Sequence, residues 1–130
     1  MKVTFDSATL ADDTASPRLA GIVERLGMSD VVQTEQLYAG ANLAKFPRGN
    51  VGGQFVFTVG CSYASYDAAA TAFKTALALL DAQATCVFTP TGSSTVDLTF
   101  ANAILHDVTQ VEWQGVWLKL RYTFEITTIS

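Results

Sequence analysis

Apolar and polar residues alternate most strictly near the C-terminal end of the chain. From Val116 to Thr127 one set of positions reads Val, Leu, Leu, Tyr, Phe, Ile, and the other reads Trp, Lys, Arg, Thr, Glu, Thr. A period of two places successive side chains on opposite faces of a β-strand, so one face packs and the other meets water or a partner. At about 3.3 Å per residue such a strand extends to about 40 Å. Gln54–Tyr63 follows the same rule: Phe55, Phe57, Val59, Cys61 and Tyr63 share one face, and Gln54, Thr58 and Ser62 lie on the other. Gly52-Gly53 offers a flexible or positive-φ entry to this strand, and Gly60 within it marks a candidate bulge.

The period changes between these strands. Ser65–Gln83 reads as a helix, with Ser65 able to cap the first-turn amides and Asp67 at the positive end of the helix dipole. Ala69, Phe73, Ala76, Leu77 and Leu80 form its apolar stripe, and the abundant alanine lets it lie close to a sheet. Thr85–Thr89, a turn at Pro90-Thr91-Gly92-Ser93 and Thr95–Phe100 read as a hairpin. A strand from Ala103 to Trp113 then leads through Gln114-Gly115 into the last strand, a connection short enough for an antiparallel pair.

The N-terminal third is less regular. Ser16-Pro17 resembles an N-cap followed by proline at the first helical position, and Leu19, Ile22, Val23 and Leu26 have helical spacing, although Gly21 weakens that reading. Val31–Ala39 reads as a strand. Gly40–Gly53 reads as a loop rich in Gly, Asn and Pro, which lacks the following helix that phosphate-binding loops use. Two roles stand open for it: a flexible loop, or an arm ordering against a neighbouring subunit with Phe46, Arg48 and Asn50 as contacts. Trp117, an aromatic on an otherwise polar face, is the fourth candidate interface residue; it fits equally beneath the N-terminal segment.

The expected fold is α+β: an antiparallel β-sandwich or split β-barrel with one main helix packed on the sheet. The 130 residues are expected to form a single domain, with 1–36 an N-terminal extension and 37–130 the barrel-and-helix core. Charged residues make up 15% of the chain, low against the roughly 25% usual in soluble domains. Such a surface suits a protein that buries part of itself against copies or partners. The net charge of −4, with Lys and Arg scattered, argues against binding nucleic acid by neutralising phosphates. No apolar run approaches the length needed to cross a bilayer. Asp6 stands where a secretory leader would need an apolar run, so assembly inside a cytoplasm is expected.

Little in the chain points to catalysis. His106 is the only histidine, and its neighbour Asp107 would point to the opposite face of a strand. Asp6 and Asp12-Asp13 lack the spacing of a cation loop and read as solvated turns. Glu112 and Glu125 read as solvent-face residues. No metalloprotease, nucleophile-elbow or phosphate-loop motif occurs. Cys61 and Cys86 have no metal-ligand spacing and read as small core residues, with a bridge between neighbouring strands as the lesser alternative. No catalytic residue, metal or cofactor is expected. An apolar pocket between helix and sheet, lined by Phe55, Phe57, Phe73, Phe88 and Tyr122, is the alternative that would make the chain a small-ligand binder.

The segment Pro47-Arg48-Gly49-Asn50, the strand Phe55-Val56-Phe57-Thr58-Val59, and Ser65 with Asp67-Ala68-Ala69 opening the helix form an ordered pattern. Ala101-Asn102-Ala103-Ile104-Leu105 and Gly115 before the closing strand complete it. From Leu37 to Ile126 this order resembles the barrel-plus-helix domain of long-tailed bacteriophage tail proteins, the group of tail tube, distal tail and baseplate hub subunits. The resemblance implies a structural virion protein that assembles in the host cytoplasm into a homo-oligomeric ring, commonly a hexamer. It also implies contacts with other tail proteins through sheet edges, no catalysis and no cofactor.

Overall fold

The computed structural model describes residues 1–36, 43–91 and 95–130, and side chains outside 29–51. Among the described residues seven strands and one helix follow in the order β1 (Lys2–Phe5), β2 (Ala8–Asp12), β3 (Ala20–Gln36), β4 (Leu43–Ser62), α1 (Tyr66–Leu77), β5 (Gln83–Thr89), β6 (Leu98–Gln114) and β7 (Trp117–Ile126). They form one antiparallel sheet in the order β2-β1-β5-β6-β7-β4-β3. The class is therefore α+β, as the alternation implies. The hydrogen-bonded ladder does not close into a barrel, although the edge strands come together at a single bridge between Asp12 and Leu19.

β6 makes the curl. Its first half pairs with β5 and its second with β7, and Ile104 has a partner on both sides. The strand turns at a bulge where Ala101 and Asn102 oppose Thr85 alone, with Asn102 at φ 57°. Asparagine tolerates this left-handed conformation better than most residues, and bulges bend and twist their strand. What reads in the sequence as two strands, Thr95–Phe100 and Ala103–Trp113, is one strand folded over a corner. Gly92 and Ser93 of the turn expected before it lie outside the described residues.

The apolar faces meet inside the curl. All five apolar positions of β7 from Leu118 to Ile126 are buried, as are Phe55, Phe57, Val59 and Cys61 of β4. Phe55 sits at the centre, its ring 4.9 Å from Phe57, 5.3 Å from Phe88, 5.2 Å from Phe100 and 6.4 Å from Phe124. The first residues of the chain complete this core: Val3, Phe5, Leu10 and Ala11 are buried. Asp6 and Ser7, both at positive φ, make the tight turn joining β1 to β2. Cys61 and Cys86 are both buried and unbonded. They lie on β4 and β5, with β6 and β7 between, so no bridge joins neighbouring strands.

Two further sequence expectations are overturned before Gly53. The helix expected from Ser16-Pro17 is instead a turn leading into β3. A register shift at Glu24 explains the false signal. Val23 opposes Phe57 and Leu26 opposes Phe55, so both belong to the core-facing side although three residues separate them. A bulge in a strand imitates the i, i+3 spacing of a helix. The loop expected over Gly40–Gly53 is, from Leu43 onward, part of β4, while 40–42 lie outside the described residues. Pro47 pairs with Val32 in a two-stranded segment, where a missing amide is tolerated because β4 has a second, unpaired edge.

The helix is capped as expected, with the Ala68 amide donating to Ser65 Oγ at 3.1 Å. It ends earlier, at Leu77, and packs differently. Ala69 and Ala76 are its buried residues, whereas Leu77 and Leu80 are exposed. Alanines let the backbone approach the sheet, and that approach rolls the leucines outward.

Candidate assembly surface

β3 and β4 outrun the rest of the sheet. β7 ends at Ile126, which opposes Gly53, while the pairing of β3 with β4 continues from Ser29↔Gly52 to Gln36↔Leu43. Ten residues of β4, Leu43 to Gly52, therefore form with β3 a two-stranded arm of about 30 Å. The arm begins at a bulge: Val51 is skipped in the register and Gly52 takes φ 93°, with Ile126 O 2.6 Å from where a Cβ would stand. Gly53 lies against the Gly27 carbonyl so closely that no side chain fits. Phe46 opposes Gln33, and Asn50 opposes Asp30; Arg48 lies between them in the strand. Three of the four sequence-chosen candidates thus sit together on the arm.

Trp117, the fourth, lies elsewhere. It is half-buried on the outer face at the far end of β7. Its ring covers Gly60, where a Cβ would stand 2.6 Å from the ring edge. Gly60 is therefore no bulge; it pairs regularly with Lys119 and Ala20 and provides the flat seat for the indole. Beside it, Glu24 accepts hydrogen bonds from Arg121 at 2.8 and 3.1 Å and from Thr58 Oγ1 at 3.0 Å, tying β3, β4 and β7 together. The Arg121 guanidinium above all holds the Glu24 carboxyl below its usual range, against the opposing effect of burial and with a lesser contribution from the Thr58 hydroxyl. Glu125 accepts from Gln54 at 3.3 Å on the same face.

A second feature went unread in the sequence. At the end of the sheet opposite the arm, α1 and the β6–β7 turn share an apolar surface. Phe73 meets Trp113 edge to face at 5.7 Å, the Tyr66 ring rests on Gly115, and Trp113 Nε1 donates to the Gly115 carbonyl at 3.1 Å. Tyr66 is 72% exposed, Trp113 40% and Leu77 38%. These residues are far apart in sequence, and only the packing of helix on turn brings them together.

Catalytic geometry is not what this surface offers. His106 is exposed at a register shift in β6, and Asp107 is bonded by Thr109 at 2.7 Å. Asp12 ends β2, half-buried, its carboxyl lowered by the hydrogen bonds of Thr14. Asp13 binds the N-terminal amine. Among the described residues no group of three His, Cys, Asp or Glu is placed to hold a metal ion, and no helix is long and apolar enough to cross a membrane. A cleft of about 200 Å³ between α1 and β2 is lined by Leu10, Leu19, Tyr63, Ala76, Leu79 and Tyr122, among others. Of the residues expected to line a ligand pocket only Tyr122 reaches it; Phe55, Phe57 and Phe88 fill the core.

No protein-family model matches the chain, and none of the curated proteins compared with it does. Solved structures do. The fold is similar to that of a sheath/tube terminator of an extracellular contractile injection system, PVC, in its extended state. The likeness covers 99% of this chain and 90% of that one, with a TM-score of 0.55 and 12% identity. A tube-terminating cap of the anti-feeding prophage is also similar, covering 99% and 86% of the two chains at a TM-score of 0.46 and 14% identity. Both are structural parts of phage tail-like particles, not enzymes. At these identities the likeness is one of fold.

Proposed function

We propose that this chain is a structural component of a bacteriophage tail, which assembles with copies of itself into a closed ring and meets other tail proteins there. The observation that carries the reading is the fold shared, along almost its whole length, with a tube terminator. In this reading the chain stands at the level of the tube, as a terminating or junction ring of six copies, with the virion its destination.

The architecture supports this. A two-stranded hairpin in water is marginal without further packing, so an arm of this length calls for a neighbour. Phe46, Arg48 and Asn50 on the arm are its contacts in this reading, and Trp117 marks the outer face. The edge of β3 beyond its seam with β2 is also unpaired, and another chain can pair there.

Sedimentation analysis of the purified protein across concentrations, with negative-stain imaging, tests the reading. Rings of uniform diameter are expected, closing on six copies. A strict monomer that binds no other tail component would overturn it.

A further inference from the structure

We propose that the cleft between α1 and β2 is a binding site for a small uncharged ring compound carrying one hydrogen-bonding oxygen, with the Tyr122 hydroxyl as its polar anchor. The site is separate from the arm and from the helix-and-turn surface, and the inference does not depend on ring assembly.

The Tyr122 hydroxyl is the observation that points to a ligand. Alternation along β7 sends this side chain inward, where its ring stacks on Phe57 at 5.1 Å and only 6% of the residue is exposed. Its hydroxyl makes no hydrogen bond among the described residues. No buried side-chain oxygen or nitrogen among them is sealed off without a partner, so this hydroxyl opens on the cleft that Tyr122 lines. A tyrosine buried to this degree ordinarily finds a partner for its hydroxyl, and a donor left unmade costs stability. Burial above all, with Tyr63 nearby, raises the phenol above its ordinary value of 10, so the group stays a neutral O–H donor.

The lining sets the class of molecule. Leu10, Leu19, Ala72, Ala76 and Leu79 give apolar walls, and no charged residue or histidine lines the cleft. An ion would lose its hydration there without compensation. The other polar groups are engaged or exposed: Thr75 Oγ1 donates to the Thr71 carbonyl at 2.9 Å, the Tyr63 phenol has the Cys61 thiol beside it, and Thr9 is exposed. An ordered water needs roughly two to four partners, which these walls do not supply. An apolar cavity of about 150 Å³ takes one benzene ring, so about 200 Å³ takes a six-membered ring with a short substituent. Bound there, such a molecule touches β2 at Leu10 and the chain entering β3 at Leu19, on both sides of the point where the ladder stops.

The test uses the full-length protein with phenol and benzene as probes, read by isothermal titration and thermal melting. Phenol is expected to bind saturably and to raise the melting temperature. Tyr122→Phe keeps the ring and removes only the hydroxyl, so it should melt no lower than the wild type and bind benzene unchanged. Its affinity for phenol should fall about fivefold. Ala72→Leu narrows the cleft from α1 and, once circular dichroism confirms its fold, is expected to bind neither probe. Absence of saturable phenol binding overturns the site, and unchanged binding by Ala72→Leu overturns its location. Equal phenol affinity in Tyr122→Phe overturns the anchor. A lower melting temperature for Tyr122→Phe also overturns the proposal, because the hydroxyl would then have its partner inside the fold.

Discussion

Glu24 and Arg121, 97 residues apart in sequence, are joined by two hydrogen bonds across the outer face of the sheet. Glu24 reaches this position because it is the extra residue of the β3 bulge, and Arg121 because it lies two strands away with β4 between. The pair clamps an edge strand to the body of the sheet.

Its contribution depends on pH in a definite direction. The folded state holds the Glu24 carboxyl below its ordinary value of 4.5. The stabilisation is therefore present above that value and is lost as pH falls through the lowered folded one. Glu24→Gln should melt at a lower temperature than the wild type at pH 7, and the difference should close in acid. Thermal melts of both proteins from pH 7 to pH 3 check this; a constant difference would contradict it.

Gly60 and Trp117 should behave as a coupled pair. Gly60→Ala forces a methyl group into the indole, an overpacking cost of about 1–3 kcal/mol. In a Trp117→Ala background the same change should cost little, because the obstructing ring is gone. Urea unfolding of the two single variants and the double variant measures the coupling.

Phe55→Ala should be among the most damaging single changes. It empties the position touched by four other aromatic rings and should cost about 3–5 kcal/mol. Equilibrium unfolding in urea reads the loss as a lower midpoint.

Cys86 should be inert to thiol reagents in the native protein. Burial pushes its thiol up to about 12, and a neutral thiol is a poor nucleophile. A pKa raised on folding also makes stability fall as pH rises above the ordinary value of 9. Native protein should release no Cys86 signal with a thiol-reactive dye until denaturant is added, and oxidation should not join Cys86 to Cys61 within one chain.

Gly53→Ala should detach the arm at its root, since the methyl group would meet the Gly27 carbonyl. Hydrogen exchange over residues 43–52 should accelerate while Phe55–Cys61 stays protected. Equal acceleration in both segments would show that arm and core open together.

The alternation of Leu118, Leu120, Tyr122, Phe124 and Ile126, and that of Phe55 to Cys61, made two strands and their core faces plain. The Ser65 cap was equally plain, because capping is local chemistry. The bulges were not. Glu24 and Asn102 each interrupt the period of two, so β3 looked helical and β6 looked like two strands. Nor did the arm declare itself, since Gly49, Gly52 and Pro47 are turn residues by composition and strand residues by pairing. Phe46, Arg48 and Asn50 share one short segment and so stand out along the chain, whereas Tyr66, Phe73 and Trp113 become one surface only when α1 settles against the β6–β7 turn. Long-range packing of that kind leaves no pattern along the chain.

The lone bridge at Asp12 and Leu19 has a mechanical meaning. A tube slit along its length yields to twist far more readily than a closed one. Here the slit runs between β2 and β3, pinned at one point and backed by α1, while the remaining seams carry full ladders. Deformation imposed by neighbours should therefore concentrate at that line, leaving the aromatic interior undisturbed. The seam gives the domain a compliant direction, set by where its hydrogen bonds stop.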